Sequence, residues 1–244
     1  MNLYDLNDQQ REAVEHTEGP LLIIAGAGSG KTRAMTFRIA HLMNKGVSPY
    51  NILALTFTNK AAKEMLNRVM GLTEGKANEI WIGTFHAICV RILRRDIEKL
   101  GYQRSFTIYD DDDQQRILKD LFKRFQIDEK QLSLREMRGI IGDAKNKLMY
   151  ADDWFAQSRK DRRAQTIHDL FSAYDQRLKA SNALDFDDLL NKTLELLMDH
   201  PPVLAYYQKR FHYVHVDEYQ DTNLAQYNLV KLLTEHSRNL CVVG

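Results

Sequence analysis

A chain of 244 residues with 44% hydrophobic and 27% charged residues can build a real core under a soluble surface, and its net charge of +1 neither supports nor excludes a nucleic-acid partner. No apolar run approaches the ~20 residues a membrane-spanning helix needs, and Met1 to Glu18 lacks the basic start and apolar centre of a secretory signal. Two isolated cysteines, Cys89 and Cys241, give no disulfide framework or zinc site, so a cytoplasmic protein with no membrane partner is expected.

In chain order, an early helix carries Gln10, and Leu21–Ala25 is a short apolar strand that runs into a glycine-rich loop. Lys31 to Asn44 has helical spacing through Met35, Ile39, Leu42 and Met43. A second strand over Ile52–Phe57, a helix from Asn59 to Met70 and a third strand over Ile80–Ile82 continue the alternation, which predicts a parallel sheet covered by helices. Between Ile88 and Tyr207 the strand signal nearly vanishes. Amphipathic helices are predicted over Arg91 to Leu100, Asp110 to Phe125, Leu134 to Lys147, Asp161 to Ala180 and Asp187 to Met198. Strand character returns at Tyr213–Val216, followed by a helix over Ala225 to His236 and a strand over Leu240–Val243. The expected architecture is an α/β domain built from residues 1–88 and 209–244. It is interrupted by an all-helical insertion over 89–208, far longer than an ordinary connection. Because the chain stops at Gly244 directly after a strand, it is expected to be part of a longer protein.

Ala25-Gly26-Ala27-Gly28-Ser29-Gly30-Lys31-Thr32 follows a strand and opens a helix, the context of a P-loop. Glycines let the backbone curl so that successive N–H groups face phosphates, and the helix N-terminus adds partial positive charge. Lys31 would reach the β- and γ-phosphates and Thr32 would place its hydroxyl on magnesium. The strict pattern asks for glycine where Ala25 stands, and an ordinary glycine-rich turn is the alternative reading. Tyr213-Val214-His215-Val216-Asp217-Glu218 is a strand ending in paired acids. Asp217 would hold magnesium, and Glu218 would orient and deprotonate an attacking water. Alone, this pair also fits surface charge or a helix start; with the P-loop it points to nucleotide hydrolysis. Lys31 and Asp217 lie almost 190 positions apart, a gap that the helical insertion explains.

Several segments together resemble one family. Asp217-Glu218-Tyr219-Gln220-Asp221-Thr222-Asn223 is similar to the extended motif II of UvrD/Rep-type (PcrA-like) superfamily 1 DNA helicases, and Ala25 to Arg33 resembles their motif I, alanine included. Leu6 to Val14 resembles their Q motif, Thr56 to Ala62 their motif Ia and Gly83-Thr84-Phe85-His86 their motif Ib. The resemblance runs through essentially the whole chain in the family's order. It implies a RecA-like lobe with an inserted helical subdomain, moving 3′ to 5′ on single-stranded DNA at duplex junctions, with ATP and Mg2+ as cofactors. It places Lys31, Glu218 and Gln220 in catalysis and Gln10, Ala27, Gly28, Ser29, Gly30, Lys31, Thr32 and Arg33 around the nucleotide, with Gln10 reading the adenine. Thr32 and Asp217 hold the metal, while Phe57, Asn59, Thr84, Phe85 and His86 meet DNA. It also implies a second lobe in cis, beyond Gly244, that supplies arginine fingers. Without them, this segment is expected to hydrolyse ATP poorly.

From spacing alone, Phe57 ends a buried strand, Asn59 caps the next helix and His86 is a satisfied polar residue; the resemblance favours DNA roles instead. Arg33 reads equally as an exposed helix residue or a nucleotide contact. The acids Asp110 to Asp113 read as a helix start rather than a metal site, and Asp185 as the cap of the helix that follows. Arg91, Arg94, Arg95 and Lys99 place basic charge along one helix near the proposed DNA path, or on a solvated face. A P-loop phosphotransferase, a helicase–nuclease of the same family and a non-catalytic DNA-binding remnant are the competing functional classes.

Overall fold

The computed structural model describes residues 2–26 and 28–244. In chain order the elements are α1 (Asp8–Glu15), β1 (Leu21–Ile23), α2 (Lys31–Asn44), β2 (Ile52–Thr56), α3 (Asn59–Leu72), β3 (Trp81–Thr84) and α4 (Phe85–Asp96). Next come β4 (Thr107–Ile108), α5 (Asp111–Arg124), α6 (Leu134–Asn146), α7 (Ala151–Gln157), α8 (Arg162–Ala180), β5 (Ala183–Leu184) and α9 (Phe186–Asp199). The chain finishes with α10 (Pro201–Arg210), β6 (Tyr213–Val216), α11 (Leu224–Thr234) and β7 (Leu240–Val243). They fall into two compact units. One comprises Met1–Ile88, Leu197–Thr222 and Gln226–Gly244; the other comprises Cys89–Leu196 and Asn223–Ala225. No helix among the described residues is long and apolar enough to cross a membrane.

The first unit is α/β. Its five-stranded sheet has the order β1-β7-β6-β2-β3 with every pair parallel. Strands of such a sheet are covered on both faces, which explains why β2 and β6 are buried at every residue and read as continuous apolar runs. Met35 and Ile39 of α2, Met65 and Val69 of α3, and Ile52 and Ala54 of β2 meet Tyr213 and Val243 in one core cluster. β1 lies at the sheet edge, and Leu22 is 58% exposed there. The prolines at the start of α10 fit the first helical turn, where a missing N–H costs nothing.

The second unit is helical. Apolar stripes of α5, α6 and α8 pack together through Leu118, Leu121, Met137, Ile141, Leu170 and Phe171. It is not all-helical as expected from the sequence: β4 and β5 form a two-residue parallel pair, Thr107 with Ala183 and Ile108 with Leu184. Asp110 accepts the Asp112 and Asp113 N–H groups, each at 3.0 Å, so the acidic run is the start of α5. Asp185 likewise accepts the Asp188 N–H at 2.8 Å at the start of α9.

Candidate nucleotide and nucleic-acid site

In the parallel sheet the carboxyl ends of all five strands share one edge, where ligands of open α/β sheets bind. β1 leads there into the glycine loop. Gly28 and Gly30 have φ of 78° and 84°, a left-handed backbone that side chains with a Cβ rarely adopt. Gly30 is also the N-cap of α2 and supplies no side-chain hydrogen bond. In contrast, Thr58, Asp110, Ser133 and Asp161 cap α3, α5, α6 and α8. The N–H groups of the first turn of α2 are therefore left without a side-chain cap, a ready anion site. Gly26, Gly28 and Ser29 are exposed, and Lys31 and Thr32 are half-buried. Ala27, expected among the phosphate contacts, lies outside the described residues.

β6 delivers the acidic pair to the same edge. The Asp217 N–H donates to the Leu55 carbonyl of β2 at 3.0 Å, which extends the sheet by one residue and buries the carboxylate. Its Oδ2 lies 3.2 Å from the Thr32 hydroxyl, across 185 positions of sequence. Burial, with the Glu218 charge second, pushes the Asp217 pKa up against the opposing pull of Thr32 and Lys31. An anion strained in this way, beside a hydroxyl oxygen, is a hard-oxygen donor set that suits Mg2+. Glu218 follows in a left-handed conformation, φ 52° and ψ 44°, half-buried. Its Oε2 accepts from Gln220 Nε2 at 2.6 Å, and Gln220 is itself exposed. The structure thus brings Lys31, Thr32, Asp217, Glu218 and Gln220 to one edge.

The N-terminal segment borders this loop. Gln10 Nε2 donates to the Ser29 carbonyl at 2.9 Å. Arg33 is exposed; it donates to the Asp5 carbonyl at 3.0 Å and stacks over Phe37.

β2 and β3 end side by side, with Thr56 paired to Thr84. Thr58, rather than Asn59, caps α3 by accepting the Ala61 N–H at 3.1 Å, because Asn59 is already the first helical residue and is exposed. The Thr84 hydroxyl accepts the Ala87 N–H at 3.2 Å in the first turn of α4. Two helix N-termini therefore lie next to each other at this edge. Phe57 is half-buried, and its ring rests on Phe85 with centroids 5.6 Å apart. Phe85 is only 1% exposed, so it backs Phe57 and offers no face of its own. His86 is half-buried, and burial lowers its pKa. Farther along α4, Arg94 is turned onto the Phe106 ring and the Arg104 carbonyl.

The sequence reading missed Lys145. It lies on the apolar stripe of α6 with Met137 and Ile141, four residues apart, and that spacing was the available signal. Fully buried, it donates to Asp185 and Asp188 at 2.8 Å each and pairs with Asp175 at 3.2 Å.

Comparison with known proteins adds independent findings. A family model described as the UvrD/REP helicase N-terminal domain matches residues 6–244. The chain is 52% identical over 243 residues to the ATP-dependent DNA helicase PcrA of Staphylococcus aureus, covering 99% of this chain and 33% of that protein. It is also 52% identical over 241 residues to the ATP-dependent DNA helicase PcrA of Staphylococcus epidermidis, covering 98% of this chain and 33% of that protein. The chain thus spans about a third of the length of these relatives.

Proposed function

The chain belongs to the UvrD/REP helicase family, and we propose that it is the first motor lobe of an ATP-dependent DNA helicase that travels 3′ to 5′ on single-stranded DNA. The observation that carries this reading is the Thr32–Asp217 contact at 3.2 Å beside the uncapped start of α2. Backbone N–H groups from Gly28 to Lys31 cradle the phosphates of ATP, the Lys31 ammonium balances their charge, and Gln10 reads the adenine. Thr32 and Asp217 hold the metal, which supplies charge neutralisation on the phosphate oxygens when bound. Glu218, restrained by Gln220, holds a water and takes its proton as that water attacks the γ-phosphorus, and the bond from that phosphorus to the β–γ bridging oxygen breaks so that ADP and inorganic phosphate leave.

The neighbouring ends of β2 and β3 form the DNA side of the same edge. Thr58 and Thr84 each take up one first-turn N–H of α3 and α4, and phosphodiester oxygens meet the remaining N–H groups of those turns, with Asn59, Thr84 and His86 placed around them. Phe57, backed by Phe85, stacks on a base, worth ~1–3 kcal/mol and tolerant of sequence. The inserted subdomain is the helical stretch between Ile88 and Leu197; α10 belongs with the lobe, where Asn51 donates to the Arg210 carbonyl at 3.1 Å. A second lobe in cis supplies the arginines, which are worth about 10³–10⁵ in rate.

Equilibrium binding of Mg–ATP and of a single-stranded oligonucleotide to this chain tests both halves. Lys31→Ala is expected to abolish nucleotide binding, and an unchanged affinity contradicts the phosphate-site assignment. Phe57→Ala is expected to weaken oligonucleotide binding by about five- to a hundredfold. Unaltered DNA affinity there removes the stacking role.

A further inference from the structure

Gln10 belongs to two structures at once. As the third residue of α1 it completes a capping box: Asn7 Oδ1 accepts the Gln10 N–H at 2.8 Å, and Gln10 Oε1 accepts the Asn7 N–H at 3.2 Å. The other end of the same carboxamide donates to the Ser29 carbonyl at 2.9 Å, inside the phosphate loop. The approach is close enough that a Cβ on Gly30 would stand 2.7 Å from Gln10 Nε2. Glycine at position 30 therefore admits this contact as well as the left-handed turn. The segment that carries Gln10 is itself anchored to α2, through Arg33 to the Asp5 carbonyl and through buried Arg38 to the Ala13 and Thr17 carbonyls at 3.3 and 3.0 Å. A tether from an anchored segment to an exposed glycine loop restricts the loop's conformations, and an ordered loop needs less ordering when it closes on phosphate.

We propose that Gln10 is a positioning residue for the phosphate grip, holding the Ser29 carbonyl so that the loop N–H groups and Lys31 converge on phosphate whether or not a base is present. A carboxamide offers two N–H donors and two acceptor lone pairs. Asn7 and Ser29 use one of each, which leaves one N–H and one lone pair for an adenine edge. Base reading and phosphate grip then share one side chain. The proposal rests on the phosphate-site reading given above and deepens it.

Mg–tripolyphosphate, which has no base, separates the two roles when its affinity for this chain is compared with that of Mg–ATP. Gln10→Met keeps the side-chain volume and loses both polar ends. It is expected to weaken tripolyphosphate binding about five- to tenfold, the worth of one hydrogen bond, and ATP binding by more. Asn7→Ala weakens the start of α1 but keeps the backbone N–H that Gln10 accepts, so it is expected to bind tripolyphosphate like the wild type. Amide exchange across residues 28–31 is a second readout, expected to be faster in Gln10→Met without any ligand. Tripolyphosphate affinity within twofold of wild type in Gln10→Met, with weakened ATP binding, makes Gln10 a base reader alone and overturns the proposal. An equal tripolyphosphate loss in Asn7→Ala overturns it as well, by tracing the effect to the helix start. Failure of the wild-type chain to bind either ligand sinks the phosphate-site reading itself.

Discussion

Glu218 holds a backbone conformation, φ 52° and ψ 44°, that costs a residue with a Cβ roughly 1–2 kcal/mol. The turn it makes lets the chain leave β6 with Asp217 directed at Thr32 and the next carboxylate directed at Gln220. Glu218→Gly is expected to relieve this strain and raise stability by about 1 kcal/mol in urea titrations, while removing turnover in the full-length protein. Glu218→Gln is expected to retain nucleotide binding and lose turnover; normal turnover in that variant would mean that another residue positions the water. The convergence of Lys31, Thr32, Asp217 and Glu218 on one sheet edge was legible in the sequence because each stands at a fixed offset from a strand end. The Gln10–Ser29 contact was not, since a glutamine on an early helix carries no signal of where its amide points.

At the level of elements, β6 and the α6–α9 pairing each bury charge-bearing groups, with opposite consequences for pH. His215 stands at the centre of β6, fully buried, and burial followed by the Arg38 charge pushes its pKa down to about 3, against a hydrogen bond with the Leu53 backbone that raises it. A folded value below the unfolded one of about 6.5 means that the unfolded chain takes up the proton first. This contribution is complete above pH 6.5 and is lost as pH falls towards 3, at about 1.4 kcal/mol per pH unit. In the helical unit Lys145 cannot balance Asp175, Asp185 and Asp188, and burial pushes Asp188 up to about 7. Its folded value lies above the unfolded one, so this stabilisation is present below about pH 4 and is lost as pH rises through 7. Trp81 and Trp154 report on the sheet and helical units separately. Urea midpoints followed by each tryptophan are expected to rise with pH between 3 and 6.5 for Trp81 and to fall between 4 and 7 for Trp154. His215→Leu and Asp188→Asn should flatten the respective slopes, and parallel slopes in the two units would contradict this account. Lys145→Met, which leaves three carboxylates facing one another, is expected to cost about 3–5 kcal/mol.

For the whole molecule, the alternation of strands and helices and the long helical interruption were readable because parallel-sheet strands are continuous apolar runs and amphipathic helices repeat with their own period. Strand order was not: β1 lies beside β7, more than 200 residues later, and only long-range pairing decides that. α7 is too short to show a period, α10 opens on two prolines, and the two-residue β4–β5 pair is shorter than any sequence pattern. Phe85 read as a DNA contact because it sits inside a contiguous motif. It is buried, with its ring against that of Phe57.

The proposed nucleotide and DNA sites on one sheet edge would serve a motor that works with a second lobe. ATP hydrolysis measured with and without single-stranded DNA, on this chain and on the full-length protein, tests it most directly. Strong stimulation by DNA in the full-length protein, with little turnover by this chain alone, is the expected result. Equal, DNA-independent turnover in both would contradict the account and point to a stand-alone nucleotide hydrolase or phosphotransferase.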